Sequence, residues 1–381
     1  MAIGKKNKIK LNPLDYNIMF SGPSKIGKTT LIREVCEKLV GRDGYLFCET
    51  GTERGADAIE GINYVDAIDW NSDYDEEANT VGFSVLIDDI VNNKTSDYAD
   101  LKVLVIDTLD HWIDIADQET IRIYNQTVKE YDKRAQSIAQ AFAGYGRGED
   151  KSIELMLGMI DRLNKVGVRV IIIGHCKTKT ITDPITGVSY DTVTSNQPQK
   201  YYNAFVNNLH FNAVSYIKRD IKHESTGKKD FDGKEKFTNE VVNMERRIKF
   251  RDPNYVVDAG GRFADIIEEI HFDADEFINA LTDAIKKERD KSNRSLEEDI
   301  AEQKKAEKDF EAKVAEKEKK QKEEQELSNL RMFIGSFVKS NLKTDAAKKV
   351  MALCKEEGFD NPLTISSLSS ANKIKAYIES L

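Results

Sequence analysis

Ser21-Gly22-Pro23-Ser24-Lys25-Ile26-Gly27-Lys28-Thr29-Thr30 satisfies the spacing G-x-x-x-x-G-K-[ST] with no exception. In front of it, Tyr16-Asn17-Ile18-Met19-Phe20 reads as a short buried strand. Behind it, Leu31, Ile32, Val35, Cys36 and Leu39 recur at helical spacing, and Gly41 stops the run. A strand, a glycine-rich turn and a helix form the context of a phosphate-binding P-loop. The glycines let the backbone curl until several N–H groups face one anion. The helix beginning near Lys28 adds the positive end of its dipole, about half a charge. Lys28 supplies a point charge for the β- and γ-phosphates, and the Thr29 hydroxyl is placed to ligate Mg²⁺. Gly22, Pro23, Ser24, Lys25, Ile26, Gly27, Lys28, Thr29 and Thr30 are therefore the candidate contacts to a nucleoside triphosphate. The expected cofactors are ATP and Mg²⁺.

Composition narrows the class. The chain has 381 residues, enough for two or three domains, and 40% of them are hydrophobic, so a sizeable core is available. The net charge of −9 argues against a surface coated uniformly in basic residues but leaves room for a local basic groove. Cys36, Cys48, Cys176 and Cys354 show no C-x-x-C spacing, which argues against zinc and disulfide frameworks and for a reducing cytoplasm. No apolar run reaches about 18 residues, so no membrane span is expected. Residues 1–12 are basic without an apolar segment behind them and are expected to be a solvated arm, not a secretory signal.

Further along, Leu101-Lys102-Val103-Leu104-Val105-Ile106-Asp107 is a nearly continuous apolar run closed by a carboxylate, as expected of a parallel strand covered on both faces. Asp107 is then in the Walker B position, where it would hold the Mg²⁺ that Thr29 also contacts. Many AAA+ ATPases carry a glutamate immediately after this aspartate, but Thr108 stands there. RecA-like ATPases instead end the strand after the P-loop helix on a catalytic glutamate. Gly44-Tyr45-Leu46-Phe47-Cys48 is that strand, and Glu49 follows it. Glu49 would orient and deprotonate the attacking water, with Glu53 as the competing carboxylate. Val168–Gly174 reads as another buried strand, ending at His175, which would hydrogen-bond the γ-phosphate beside Lys28 and Glu49.

Basic residues beyond this core are candidates for nucleic acid or for a neighbouring subunit's nucleotide. Lys177 and Lys179 share a face if their strand continues. The run from Trp112 to Ala143 looks helical, and Gly144-Tyr145-Gly146-Arg147-Gly148 breaks it with an aromatic and an arginine in a flexible loop. Residues 184–200 read as a surface hairpin or loop, and residues 218–236 as a polar, mostly basic insert. Arg246 lies on a strand near residues 241–250, and Arg262 in the turn Asp258-Ala259-Gly260-Gly261-Arg262-Phe263; both are candidate fingers or phosphate contacts. Lys, Glu, Gln and Ala dominate from residue 283 to 327, with apolar positions too sparse for a coiled coil. Apolar periodicity returns from Met332 to the end. The expected order is a basic arm (1–12), an ATPase core (13–275), a charged helical linker (276–327) and a small helical domain (328–381).

With these motifs in place the sequence resembles phage-encoded RecA-like nucleotide-binding proteins, the group that includes single-strand annealing and recombination ATPases. The resemblance rests on Gly22–Thr29, Glu49-Thr50-Gly51, Val105-Ile106-Asp107-Thr108, Gly144–Gly148, Ile173-Gly174-His175-Cys176-Lys177 and Asp258–Phe263, within roughly residues 12 to 270. It implies an α/β fold with a mostly parallel central sheet, ATP hydrolysis, single-stranded DNA binding, homo-oligomerisation and a place in the cytoplasm of an infected bacterial host. The linker and C-terminal module fall outside it. The alternative is a nucleotide-gated adaptor whose C-terminal module recruits a single-stranded-DNA-binding, replication or host protein. A small-molecule kinase is disfavoured, since no arginine-rich lid is recognisable.

Overall fold

Alternate residues of the central strands bury on opposite sides of one sheet. Met19, Leu46, Cys48, Leu104, Ile106, Val170 and Ile172 enter one core, and Ile18, Phe20, Tyr45, Phe47, Val103, Val105, Ile171 and Ile173 enter the other. That period-two division, with both sides covered, is why these strands are apolar almost throughout. The computed structural model describes residues 9–51, 55–182, 186–229, 235–251, 260–291, 296–342 and 344–380.

In chain order the first unit contains β1 (Ile18–Gly22), α1 (Lys28–Val40), β2 (Tyr45–Glu49), β3 (Tyr64–Asp69), β4 (Thr80–Gly82), α2 (Phe83–Asn92), β5 (Val103–Asp107), α3 (Leu109–Thr127) and α4 (Arg147–Lys165). It continues with β6 (Arg169–Thr182), β7 (Ser189–Ser195), α5 (Gln199–Asn208), β8 (Phe211–Lys229), β9 (Glu235–Lys249), β10 (Gly260–Gly261), β11 (Glu269–His271) and α6 (Ala274–Asp290). The sheet order is β11-β9-β8-β1-β6-β5-β2-β3-β4, with β10 paired to β8 and β7 to β6. From β8 through β4 every neighbouring pair is parallel; β9, β10, β11 and β7 add antiparallel pairs. A mostly parallel sheet with helices on both faces is the expected α/β fold of a P-loop NTPase. One face is covered by Phe83, Ile87 and Ile90 of α2, Trp112 and Ala116 of α3, Met156 and Leu163 of α4, and Phe205 of α5. The other is covered by Leu31, Ile32 and Val35 of α1 and by Phe277, Leu281 and Ile285 of α6. Each large side chain so buried contributes about 1.5–3 kcal/mol relative to exposure.

Several expected boundaries move. The helix expected to run from Trp112 to Ala143 ends at Thr127, and short 3₁₀ turns follow at Tyr131–Lys133 and Ile138–Ala143. The Asn125 side chain accounts for the break: its amide donates to the Ala135 carbonyl at 2.9 Å and its oxygen accepts from the Ala135 N–H at 2.8 Å, folding the chain back. The polar stretch at 184–200 contains β7, paired antiparallel with the far half of β6, and then the start of α5. Of the stretch at 218–236, residues 218–229 and 235–236 belong to the long β8–β9 pair, which runs well past the core sheet.

The chain divides into two compact units. The first takes in residues up to 91 and from 98 to 303; the second takes Asn92–Asp97 and Lys304–Leu381. The charged linker was expected to start at 276, but α6 buries Phe277, Leu281, Ala284 and Ile285 in the first unit's core. Its apolar positions face one side at helical spacing while Lys and Glu occupy the other, which gives the charged composition seen in sequence. The second unit contains most of α7 (Leu296–Ser340), α8 (Asp345–Glu356) and α9 (Leu368–Glu379). It has its own core of Leu330, Ile334, Val350, Cys354, Ile365, Ala371, Ile374 and Ile378. Thr344 and Ser367 cap α8 and α9 by accepting from the Ala347 and Ser370 N–H groups.

Candidate nucleotide-binding site

Strand register assembles the site. Glu49 of β2 is level with Asp107 of β5, Asp107 with Ile173 of β6, and Gly22 of β1 with His175 of β6. Parallel strands in register deliver all their C-terminal ends to one edge, where the loop between β1 and α1 also lies. A cleft of about 580 Å³ opens there, lined among others by Lys28, Thr29, Glu49, Asp107, His111 and His175.

The loop itself is built around two glycines. Gly27 has φ +102° and caps α1, a conformation that favours glycine. Gly22 passes so close to β8 that an added Cβ would lie 1.9 Å from the Ser215 hydroxyl. Lys28 is buried, its Nζ donating to the Gly22 carbonyl at 3.2 Å and the Pro23 carbonyl at 3.0 Å. Its charge is thereby held inside the loop. The Thr29 hydroxyl donates to Asp107 Oδ2 at 2.7 Å. A hydroxyl and a carboxylate this close fit Mg²⁺, a hard cation that is bound through oxygen. Thr29 and Asp107 are the residues that would hold it, and it would supply positive charge against that of the phosphates.

Glu49 is only 4% exposed. Its Oε1 accepts from the Ala56 N–H at 2.6 Å, and its Oε2 has no hydrogen-bond partner. Burial pushes its carboxyl up to about 7; the Ala56 bond opposes the rise, while the charges of Asp107 and Asp66 add to it. An unsatisfied buried carboxylate oxygen on the wall of a cleft is an unusual and costly feature. It is accounted for if a water or cation occupies the cleft beside it.

His175 sits at the same edge. Its Nδ1 and its backbone N–H are each 3.2 Å from Asp110 Oδ2. Burial alone would raise the Asp110 carboxyl, but the hydrogen bonds and charge of His175 and the Asn196 amide outweigh it and hold Asp110 below the ordinary aspartate range.

The other sequence candidates are dispersed. Lys177 and Lys179 are exposed on the extension of β6 that pairs with β7, on one face of that strand. Arg147 is exposed at the first turn of α4. Beside it Tyr145 is fully exposed, while Gly148 packs so tightly that a Cβ would lie 2.2 Å from the Ile138 carbonyl oxygen. Arg246 reaches its own chain's P-loop: Nη1 donates to the Ile26 carbonyl at 3.0 Å, and the guanidinium lies 4.9 Å from the Phe272 ring centre. Arg262 lies at the other end of the strands, where β10 pairs with Phe211 and Asn212, and it donates to the Asn207 carbonyl at 2.9 Å. Glu53, Asp258 and Ala259 lie outside the described residues.

Sequence reasoning gave no role to Asp110, His111 or Thr50. Thr50 fastens the ends of β2 and β5 together, its N–H donating to the Asp107 carbonyl at 2.8 Å and its hydroxyl to the Thr108 carbonyl at 2.6 Å. Asp110 and His111 are in the first turn of the helix that leaves Asp107, and that placement was the signal available.

A family model described as an AAA domain matches residues 14–263. The chain belongs to that family. The match takes in the whole cleft and every strand of the sheet but β11, so the AAA domain of this chain is a P-loop NTPase domain that binds and hydrolyses nucleotide, ATP with Mg²⁺ being the usual substrate of such domains. A comparison with curated proteins finds no match. Among the described residues no helix of this AAA protein is long and apolar enough to cross a membrane.

Proposed function

We propose that this chain is a RecA-like ATPase that binds single-stranded DNA, assembles with copies of itself, and supports phage DNA recombination, annealing or replication in the cytoplasm of an infected bacterium. The observation that carries the reading is Glu49. It ends the first strand after the P-loop helix, is level with Asp107, and keeps one buried oxygen without a partner. Thr108 leaves no carboxylate directly after the metal-binding aspartate, so Glu49 is the base that activates water. Lys28 and the loop N–H groups hold the phosphates, Thr29 and Asp107 hold Mg²⁺, and His175 hydrogen-bonds the terminal phosphate.

The DNA part is supported by two basic features. Lys177 and Lys179 stand together on the β6–β7 arm, which leaves the sheet at the nucleotide edge. Tyr145, exposed between two glycines and followed by Arg147, offers a ring for stacking and a cation for phosphate. Arg262 is the candidate for a neighbour's nucleotide. Arg246 is already engaged by its own P-loop.

The deciding experiment is ATP hydrolysis with and without single-stranded DNA, read alongside particle size. Stimulation by DNA together with nucleotide-dependent assembly is the expected result. Turnover indifferent to DNA at every salt concentration would refute the DNA reading and leave the ATPase. The second reading, a nucleotide-gated adaptor, is favoured by one observation: the C-terminal unit has a hydrophobic core of its own. It predicts a bound replication or host protein that is lost when that unit is removed.

A further inference from the structure

We propose that Asp110 is a positioning residue that fixes the ring of His175 for contact with the terminal phosphate of the nucleotide, a role that rests on the ATPase reading of the cleft. Asp110 lies in the first turn of α3, directly downstream of the metal-binding strand end. Its side chain is 15% exposed and that of His175 12% exposed, so the pair is largely shielded from bulk water. Oδ2 of Asp110 is shared by two groups of the same residue, the ring Nδ1 and the backbone N–H of His175, each at 3.2 Å. Oδ1 accepts from the Asn196 amide at 3.4 Å, and the Asn196 N–H donates to the His175 carbonyl at 2.9 Å. The histidine is therefore gripped at its ring, its N–H and its carbonyl.

Chemistry follows from which atom faces the carboxylate. An ionised carboxylate only accepts, so Nδ1 must carry a proton. With Nδ1 committed to Asp110, contact with a bound nucleotide runs through Nε2. An Nε2–H is a donor suited to a phosphate oxygen. Without Asp110 the ring loses the carboxylate that sets its orientation and tautomer, and the donor is no longer placed where charge develops. The same set of bonds reaches the β6–β7 arm, because Lys177 Nζ donates to the Asn196 carbonyl at 3.4 Å. The phosphate-facing histidine and the lysine-bearing arm thus share one joint.

The test is a double-mutant cycle on the full chain with Asp110→Ala, His175→Gln and the pair, measuring kcat and KM for ATP. Each single variant is expected to lower kcat about tenfold with KM changed less than about threefold, and the double variant to be no slower than the worse single one. Asp110→Asn, which keeps an acceptor oxygen, should recover most of the loss. Multiplying losses in the double variant would overturn the proposal, since independent residues multiply. A second reading needs no variant to fold well: in wild-type protein labelled with ¹⁵N-histidine, the Nδ1 signal of His175 should be that of a protonated nitrogen. An unprotonated Nδ1 would equally overturn it. Normal ATP turnover with multiplying losses refutes this role alone, whereas absent ATP binding by the wild type refutes the ATPase reading.

Discussion

Glu49 shows what one side chain can be asked to do. Its carboxyl is pushed up to about 7 from an ordinary 4.5. Between those two pH values the folded chain holds a proton that the unfolded chain has released, so this group's contribution to stability is greatest below about 4.5 and declines as pH rises to about 7. Glu49→Gln should therefore raise the Tm of the protein free of nucleotide and magnesium, by more at pH 8 than at pH 5. Thermal scans at the two pH values read this directly, and an equal shift at both would mean that the carboxylate is not strained by its surroundings. The same variant should bind ATP and turn it over at least about 100-fold more slowly, because an amide cannot take the water's proton. Unchanged turnover would move the base to another residue. Lys28→Ala removes the only charge that the loop itself folds inward, and nucleotide affinity measured by titration calorimetry should fall by at least about tenfold, the cost of roughly one charge-assisted hydrogen bond.

At the scale of elements, α6 was misjudged in sequence because polar composition hides one-sided packing, whereas the hairpin expected at 184–200 is the β6–β7 arm. Phe277 of α6 is fully buried, with its ring 5.6 Å from those of Phe20 and Phe250. Phe277→Ala should destabilise the first unit by about 3–5 kcal/mol, measured by denaturant unfolding. A cost near zero would show that α6 belongs with the linker after all. The arm makes a different prediction. If Lys177 and Lys179 touch the DNA backbone, replacing both by Ala should reduce the slope of log affinity against log salt by roughly 0.7 per lysine. Equilibrium binding to a single-stranded oligonucleotide across a salt series measures it. A lower affinity with an unaltered slope would place the two lysines off the DNA.

For the whole molecule, the division into two units sets where the chain can be cut. A cut near 283 would pass through α6, removing Ala284 and Ile285 from the first unit's core and leaving Phe277 and Leu281 on a shortened helix. A cut after Gln303 follows the boundary between the units. The chain ending there should keep ATP hydrolysis at close to the full-length rate, checked by a steady-state phosphate-release assay. Loss of turnover in a folded truncated chain would assign the C-terminal unit a part in the nucleotide cycle.

The phosphate loop, the strand that ends in Asp107 and the strand that ends in Glu49 were legible from residue order, because each depends on local spacing: glycines where the backbone must curl, apolar runs where both faces are covered, a carboxylate where a strand stops. The expectation of a mostly parallel α/β sheet followed from the same signals. Strand order, register and the grip of Asp110 on His175 were not legible, since they bring together residues 65 apart in the chain through pairing and packing. Arg246 illustrates the limit: nothing around it in sequence distinguishes an arginine that serves a partner from one that closes on its own P-loop, 220 residues away. Local geometry is written in neighbouring residues, whereas which distant groups share a cleft is settled only when burial selects one arrangement of the whole sheet.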